Sequence, residues 1–502
     1  MTPLILMLCL VAQEAESNDR ATRKAIESES GRRSETPLRS EELDALIRKM
    51  SALEAELKEL KSASSQDKGK PSDSQAQSEE ERKKKQLEEE FKKALGETKP
   101  APRQDAPVPQ SGLSLGGAGT LRLIDIALDL LCAVGTSTSP EDELRALEAG
   151  GHDPKNRGFT VQNVELTFQG VVDPYLRGDA HIVLQIDENG ETIVELEEVY
   201  LTTLELPYNL QVKAGQYFNP FGRLNSIHPH AWDFVDQPVI NGRMFGPDGL
   251  RGPGAQVLWL TPLPFFAELI GAVNNANGET ATSFRFSPGE SVAGRTLVDR
   301  PVRGLDDLLY LIRLRTSFDP TDEITLVPGA SALFGPNASG LDKRTAIYGL
   351  DLYAKWKPLV NEQGWPFIGW QTEAMYRKYQ AAAVDDGGTI VDGDRTLWDW
   401  GVYSQVMWGF ARPWVVGFRF DYANGQRDSY TAATIPSYDS LDDPTRGQRG
   451  RASLNLTYYP SEFSKFRLQY NYDRSRFIDG GDAHSVFLQF EILFGAHGAH
   501  KF

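Results

Sequence analysis

The sequence has no long apolar run. Its one markedly apolar stretch near the start, residues 2–12, is too short to cross a bilayer as a helix, which takes about 20 residues. No later segment is uninterrupted by polar residues for that length. These features exclude a protein that spans a membrane with helices, and they fit a signal peptide over residues 1–15.

Cysteine and positive charge are also scarce. Cys9 and Cys132 are the two cysteines, which excludes a disulfide framework. The chain has 53 Lys and Arg against 70 Asp and Glu, a formal net charge of -17, which argues against binding to nucleic acid. Gly-x-Ser-x-Gly, His-Glu-x-x-His and phosphate-loop motifs are missing, so the sequence predicts neither an enzyme nor a resident organic cofactor.

The first 120 residues are polar and of low complexity. We interpret residues 16–40 as disordered, 41–95 as a coiled-coil or helical stalk with its own linker, and 96–120 as a linker rich in Pro and Gly. A single surface helix is the alternative to the coil. The coil prediction rests on apolar residues that recur in steps of three and four: Leu43, Leu46, Met50, Leu53, Leu57 and Leu60.

What the chain does have, from residue 158 to residue 494, is a series of segments in which apolar and polar residues alternate. In Val415 to Tyr422, one face carries Val416, Phe418 and Phe420 and the other carries Arg419 and Asp421. Successive side chains of a strand point to opposite faces, so each segment has an apolar side and a polar side. A soluble sandwich is the alternative. However, the segments end in aromatic residues and repeat over more than 300 residues, which favours a membrane barrel.

Fifteen such segments lie between residues 158 and 494, and Leu121–Val134 would add a sixteenth. The predicted fold is therefore all-β: a transmembrane antiparallel barrel of about 16 strands (16–18) over residues 121–502, preceded by the short coil. Tight turns at 262–264 and 411–412 alternate with long loops at 219–253 and 274–307, an asymmetry typical of outer-membrane barrels. We expect the barrel in the bacterial outer membrane, in contact with its lipid, and the stalk in the periplasm.

Basic residues recur on the polar face of the predicted strands. A ring of them inside a pore would favour anions, but Asp351, Glu373, Asp421 and Asp473 share that face, so ordinary charge pairing is the alternative. The candidate pore-lining residues are Arg313, Arg315, Lys355, Lys357, Arg377, Arg419, Arg451 and Arg467.

The loop 219–253 is the least generic stretch, and its length favours a functional role, such as folding into the lumen to constrict it. Imidazole and carboxylate at this spacing could hold a zinc-like ion, although Pro229 and the aromatic residues could simply brace the loop. The constriction candidates are His228, His230, Trp232, Asp233, Asp236, Arg243 and Arg251; the metal candidates are His228, His230 and Asp233, with His497 and His500 near the C-terminus.

One strand and the start of this loop resemble the phosphate-selective porin group, through Gly215, Gln216, Tyr217, Pro220, Phe221 and Gly222. The resemblance covers about residues 158–502 and implies an outer-membrane channel. The loop over His228–Arg251 is similar to a narrower branch labelled zinc-regulated outer-membrane receptors, which implies energy-coupled uptake. Such receptors carry a globular plug before the barrel, whereas this chain has a coil and linkers there.

Three functions follow from the sequence. The first is a porin for passive diffusion of small solutes or ions; general porins are trimers, so we expect a homotrimer whose stalk would be stabilised by three linked copies. The second is a metal-binding or zinc-uptake protein that uses the 219–253 loop. The third is a structural barrel whose stalk tethers the envelope, with peptidoglycan as partner.

Overall fold

The computed structural model describes residues 124–148, 150–186, 190–386, 389–425 and 444–495. The predicted signal peptide, disordered segment, stalk and linker, residues 1–120, lie outside the described residues. His497 and His500 lie outside them too. Within the described ranges, no helix has the length and apolar character needed to cross a bilayer.

The described part of the chain is built almost entirely of strands, with two short helices, α1 (Glu141–Leu147) and α2 (Val239–Phe245). The strands are β1 Asp125–Ser137, β2 Gly158–Asp173, β3 Leu176–Ile186, β4 Thr192–Thr203, β5 Leu210–Phe218, β6 Arg251–Leu260, β7 Phe266–Asn274, β8 Ser291–Val292, β9 Arg295–Thr296, β10 Leu309–Thr321, β11 Ile324–Pro336, β12 Arg344–Trp356, β13 Phe367–Ala381, β14 Val384–Asp386, β15 Thr389–Asp392, β16 Arg395–Ala411, β17 Trp414–Gly425, β18 Arg449–Ser461, β19 Ser464–Ser475 and β20 Asp482–Gly495.

Sixteen of these strands close into one antiparallel barrel, in the order β1 to β7, β10 to β13 and β16 to β20. The first strand pairs with the last, from Ala127 opposite Gly495 to Ser137 opposite Ser485, so the ring has no open edge. The predicted all-β barrel of 16 strands is confirmed. Its first strand is β1, which starts four residues later than the predicted Leu121–Val134 and ends three residues later.

Two small hairpins were not predicted, β8 with β9 and β14 with β15. Both lie in connections at the same end of the barrel. Their strands are two to four residues long, so they are too short to show an alternation in the sequence. The connections alternate in length as expected: 412–413 and 462–463 are short, and 219–250 and 275–308 are long.

The wall of the barrel has an apolar outer side. Along β16, Trp398, Trp400 and Trp408 point outward and remain 40%, 38% and 49% exposed, whereas Asp399 and Tyr403 between them point inward and are buried. Most of the other barrel strands repeat this pattern with exposed Leu, Phe, Val or Ile. The alternation seen in the sequence is therefore an outside-to-inside alternation.

A β-bulge in β4 breaks this alternation. His181 of β3 lies opposite Glu198, but the next residue, Ile182, lies opposite Leu196, so β4 carries one extra residue. Because of it, the two consecutive residues Glu197 and Glu198 are both buried on the inner side. The bulge therefore concentrates two carboxylates at one place inside the barrel.

The inner side is not polar throughout, contrary to the expectation from the sequence. Phe221, Ile240 and Phe245, from the connection between β5 and β6, are fully buried against inward-facing Leu333 and Ile347. The connection lies inside the barrel and covers apolar side chains that would otherwise contact water, and that burial is favourable. Apolar residues on the inner side thus mark where the connection packs.

Candidate functional site

Residues 219–250, which join β5 to β6, form what we call the interior segment. Its first turn is narrow: Gly222 has φ +58, and a Cβ there would meet a carboxylate oxygen of Glu373 at 2.0 Å. Glycine both tolerates that backbone conformation and leaves room for the carboxylate. Phe221 beside it packs edge-on against Phe245 of α2, with ring centroids 5.2 Å apart.

Glu373 of β13 holds the start of the interior segment. Its Oε1 accepts hydrogen bonds from the backbone N–H groups of Arg223 at 3.1 Å and Leu224 at 2.8 Å. The Tyr403 hydroxyl donates to the same oxygen at 2.6 Å. Glu373 is 1% exposed, so these bonds replace the water that Oε1 loses on burial.

Asp236 anchors the middle of the segment on β17, β18 and β19. Its carboxylate accepts hydrogen bonds from Arg419 at 2.7 Å, Gln469 at 2.8 Å and Asn471 at 2.7 Å, and it is also paired with Arg451. Burial alone would raise the pKa of Asp236, but Arg419 and Arg451 outweigh that effect and hold it below its usual value. We call this arrangement the aspartate anchor.

Most of the other charges inside the barrel are paired. Arg313 forms a two-bond contact with Asp351 at 2.8 and 3.0 Å, and Arg377 contacts Asp399 at 2.7 Å. Arg451 also reaches Glu148, from the connection after α1, at 2.8 Å. Buried charges remain ionised at low cost only when they are paired in this way. This pairing agrees with ordinary charge pairing among the inward-facing residues better than with a ring of unpaired basic residues.

The remaining pore-lining candidates differ in how deeply they are buried. Arg315 is partly exposed and pairs with Glu268 at 2.9 Å. Lys355 is partly buried, with its ammonium 5.3 Å from the ring centre of Phe367. Lys357 is exposed and lies beyond the end of β12. Arg467 is buried and donates to Thr457 and Gln489.

Strands β2 and β4 present carboxylates to the two histidines of the interior segment. His228 Nδ1 and His230 Nδ1 both lie 3.1 Å from Glu165 Oε2 on β2. His228 Nε2 lies 2.8 Å from Glu198 Oε2 on β4. We call Glu165, His181, Glu198, His228 and His230 the histidine–glutamate cluster.

His181 of β3 completes the cluster. Its Nδ1 lies 2.8 Å from Glu165 Oε1, and its ring lies 4.6 Å from that of His228. Glu197, inside the barrel because of the bulge, lies 3.0 Å from His228 Nδ1. Burial would lower the pKa of His228, but Glu165 and Glu197 outweigh it and raise that pKa well above its usual value.

Of the three residues of the interior segment predicted to share a metal site, the structure places one apart from the other two. His228 and His230 come together, but Asp233 instead accepts a hydrogen bond from Gln405 at 2.8 Å and belongs to neither group of potential metal ligands in the described chain. Asp233 is three residues beyond His230, and by that point the segment has crossed to the β16 wall. Asp233 is therefore not grouped with the two histidines in this structure, because nearness in sequence did not become nearness in space.

The other constriction candidates brace the segment. Trp232 donates its indole N–H to the carbonyl of Ile227 at 2.8 Å. Arg243, in α2, donates to the carbonyls of Thr445, Arg446 and Gly447 at 2.8–3.0 Å. Arg251 is the first residue of β6 and pairs with Glu195.

Sequence reasoning missed Glu165, His181 and Glu198, and it placed Glu373 on the polar face without a role in holding the interior segment. Each lies on a strand, on the polar side that also carries unremarkable charges, and none is near the interior segment in sequence. One signal was available: two consecutive glutamates, 197 and 198, interrupt an alternating strand. Such a break indicates a bulge, but it does not say what the two carboxylates face.

Comparison with known proteins adds one relative. No family model matches the chain. A protein of Aquifex aeolicus, described as uncharacterized, is 31% identical over 408 residues, which cover 76% of this chain and 80% of the relative. The chain belongs to the same family as that protein. Because the relative is described only as uncharacterized, membership gives no activity.

Solved structures similar to this chain are outer-membrane proteins, and their sequence identity to it is low. The channel DcaP of Acinetobacter baumannii has a TM-score of 0.47 at 13% identity, covering 74% of this chain and 97% of that one. OprB of Pseudomonas putida scores 0.45 at 12% identity, covering 74% and 94%. An anion-selective porin from Comamonas acidovorans scores 0.44 at 8%, covering 74% and 99%. At these scores the likenesses carry no functional argument.

Proposed function

We propose that the protein is an outer-membrane channel for passive diffusion of small ions or solutes. One observation carries the proposal: a closed barrel of sixteen strands has an exposed apolar outer side and a largely polar, charged inner side. In lipid, a closed barrel satisfies all its backbone hydrogen bonds, and its exposed Trp, Phe and Leu side chains face the hydrocarbon. In water, the same outer side would be a very large apolar surface.

The interior segment would set the width of the channel. It lies inside the wall and is held at Glu373, at the aspartate anchor and at the histidine–glutamate cluster. The pairing of Arg313 with Asp351 and of Arg377 with Asp399 leaves little net charge on those parts of the wall. We therefore expect selection by size, with weak preference between anions and cations.

Single-channel recording tests this function. Purified protein, refolded in detergent and added to a planar bilayer, should give discrete conductance steps, and reversal potentials in a salt gradient should report the preferred ion sign. A heat-denatured sample is the control. Absence of steps from folded protein, judged by its altered mobility in unheated gels, would contradict the channel.

The finer features of this function are also proposals. The resemblance to phosphate-selective porins suggests that phosphate occupies the pore, and the test is whether millimolar phosphate reduces chloride current; unchanged current would count against it.

A homotrimer is proposed because general porins are trimers, and light scattering in detergent distinguishes it from a monomer.

Tethering of the envelope by residues 41–95 is a separate proposal, and those residues lie outside the described ranges. Full-length protein should sediment with purified peptidoglycan, and a chain lacking residues 13–111 should not. Equal sedimentation of the two chains would remove tethering from consideration.

Metal binding is the second candidate function, and one observation favours it. The interior segment brings two imidazoles to the same carboxylate oxygen of Glu165, at 3.1 Å each. Histidine and carboxylate together are typical ligands of zinc-like ions. Uptake of the ion through the barrel would be a further step, and the measurement is ion flux into vesicles that contain the protein.

A further inference from the structure

We propose that His228 Nδ1, His230 Nδ1 and Glu165 Oε2 bind one divalent transition-metal ion of the zinc type, which cross-links the interior segment to β2. The proposal deepens the second candidate function, on which it rests, and does not depend on the channel. It assigns a ligand, Glu165, and two positioning residues, His181 and Glu198, that the sequence did not indicate.

The donor atoms are already close enough for a common ion. One ligand atom from each of Glu165, His228 and His230 lies within 4.8 Å of the other two. With bonds of about 2.1 Å, two ligands of a tetrahedral ion lie about 3.4 Å apart. The two distances from Glu165 Oε2 to the imidazole nitrogens, both 3.1 Å, are near that value. Small side-chain shifts would therefore place an ion between the three residues and leave a fourth position for water.

The surroundings match those of a metal-binding histidine. A histidine that ligates through one nitrogen commonly donates its other N–H to a carboxylate, which fixes the ring and its tautomer. His228 has this arrangement, since Nδ1 faces Glu165 and Nε2 faces Glu198 at 2.8 Å. Glu165 is positioned in turn, because its second oxygen contacts His181 at 2.8 Å and Thr167 at 3.0 Å.

The local charge also favours a cation. Asp129 of β1 is 4% exposed and lies 3.5 Å from His230 Nδ1, and neither of its carboxylate oxygens has a hydrogen-bond partner within the described chain. Glu197 lies 3.0 Å from His228 Nδ1 and is fully buried. A divalent ion among these carboxylates would offset negative charge that is costly to bury.

The donor set indicates which ion fits. Calcium and magnesium take six or more oxygen ligands, which two imidazoles and one carboxylate oxygen cannot supply. Imidazole with carboxylate suits zinc, cobalt, nickel or copper. We therefore expect zinc and cobalt to bind, and calcium and magnesium at equal concentration not to compete.

The experiment measures metal binding to the refolded full-length chain in detergent. All variants carry His497→Ala and His500→Ala, so that the C-terminal histidines do not contribute. Zinc affinity is measured by isothermal titration, and cobalt absorption reports four-coordinate geometry. The test variants are His228→Ala, His230→Ala and Glu165→Gln, and the matched control is His484→Ala, an exposed histidine beside Tyr470.

We expect one zinc ion per chain, at least tenfold weaker binding in each test variant, and a change below twofold in the control. The mobility of each variant in unheated gels reports whether it has folded. If a test variant does not fold, Glu198→Gln takes its place. Stoichiometric zinc that is unaffected by the test variants, or no zinc binding by the folded parent, overturns the proposal. In either case, conductance of the parent is judged separately, so failure of the site and failure of the channel are distinguishable.

Discussion

The interior segment is attached to two parts of the barrel wall, β2–β4 and β17–β19, with opposite assignments of charge. At the histidine–glutamate cluster the segment supplies imidazoles and the wall supplies carboxylates, with His228 Nε2 at 2.8 Å from Glu198. At the aspartate anchor the segment supplies a carboxylate and the wall supplies guanidinium groups, with Arg419 at 2.7 Å from Asp236. His228 and Asp236 are eight positions apart along the chain.

The difference matters because the two cationic partners behave differently. A guanidinium remains charged at any physiological pH, so the aspartate anchor is permanent. An imidazole can carry a proton, lose it or take a metal ion instead, so the cluster responds to its surroundings. The comparison suggests a segment with one fixed attachment and one adjustable attachment.

The largest effect should come from breaking the fixed attachment. Asp236→Asn removes the charge opposite Arg419 and Arg451, both 1% exposed, and leaves two buried cations short of a partner. Loss of one partner of a buried pair costs about 3–5 kcal/mol. Urea unfolding in lipid vesicles measures this loss in the free energy of unfolding. Asp322→Asn, in the exposed turn after β10, is the matched control and should change little; equal losses in the two variants would contradict the anchor.

A smaller effect should come from the first turn of the segment. Gly222→Ala adds a Cβ that meets Glu373, in a backbone conformation with φ +58. Gly480→Ala, with φ +76 and open space around the Cβ position, carries only the backbone strain. Such strain costs about 1–3 kcal/mol, so Gly222→Ala should destabilise the protein by more than Gly480→Ala does.

The same pair of glycine variants can be compared by single-channel recording. If the clash with Glu373 displaces the interior segment, Gly222→Ala should alter the conductance and Gly480→Ala should not. Identical unfolding curves and conductances for the two variants would mean that Glu373 moves aside without consequence.

The adjustable attachment should be sensitive to its positioning residue. Glu198→Gln keeps the shape next to His228 Nε2 but removes the charge, and substitution of such residues weakens metal binding about 10-fold to 100-fold. Tenfold corresponds to about 1.4 kcal/mol. Zinc titration measures the change, and urea unfolding without metal checks that the aspartate anchor is intact. Unchanged zinc affinity would show that Glu198 does not position the ring.

The smallest effect should be that of mild acid on the fixed attachment. The folded-state pKa of Asp236 is lowered from 3.8, so its contribution is fully present above that value and is lost only as the pH falls well below it. The difference in unfolding free energy between the parent and Asp236→Asn should therefore stay constant from about pH 7 to pH 5. A difference that shrinks within that window would contradict the lowered pKa.

The strands were predictable because alternation is local. Arg419 and Asp421, two residues apart, already indicate an inner face, and the barrel follows from repetition of that pattern. The attachments were not predictable, because each joins residues distant in sequence. His230 contacts a glutamate 65 positions earlier, and Asp236 contacts an asparagine 235 positions later. Such pairs depend on strand register and on the bulge at Glu197, which a single sequence does not specify.

The position of the anchor's partners along the chain has a consequence for folding. Arg419, Arg451, Gln469 and Asn471 lie on β17, β18 and β19, among the last strands of the chain. Contacts over such separations form late, after the entropy of closing a long loop has been lost. The side chain of Asp236 therefore cannot be secured by these four partners until β17, β18 and β19 are in place. A chain that stopped short of β17 could form many of the same strands, but it could not secure the segment inside them.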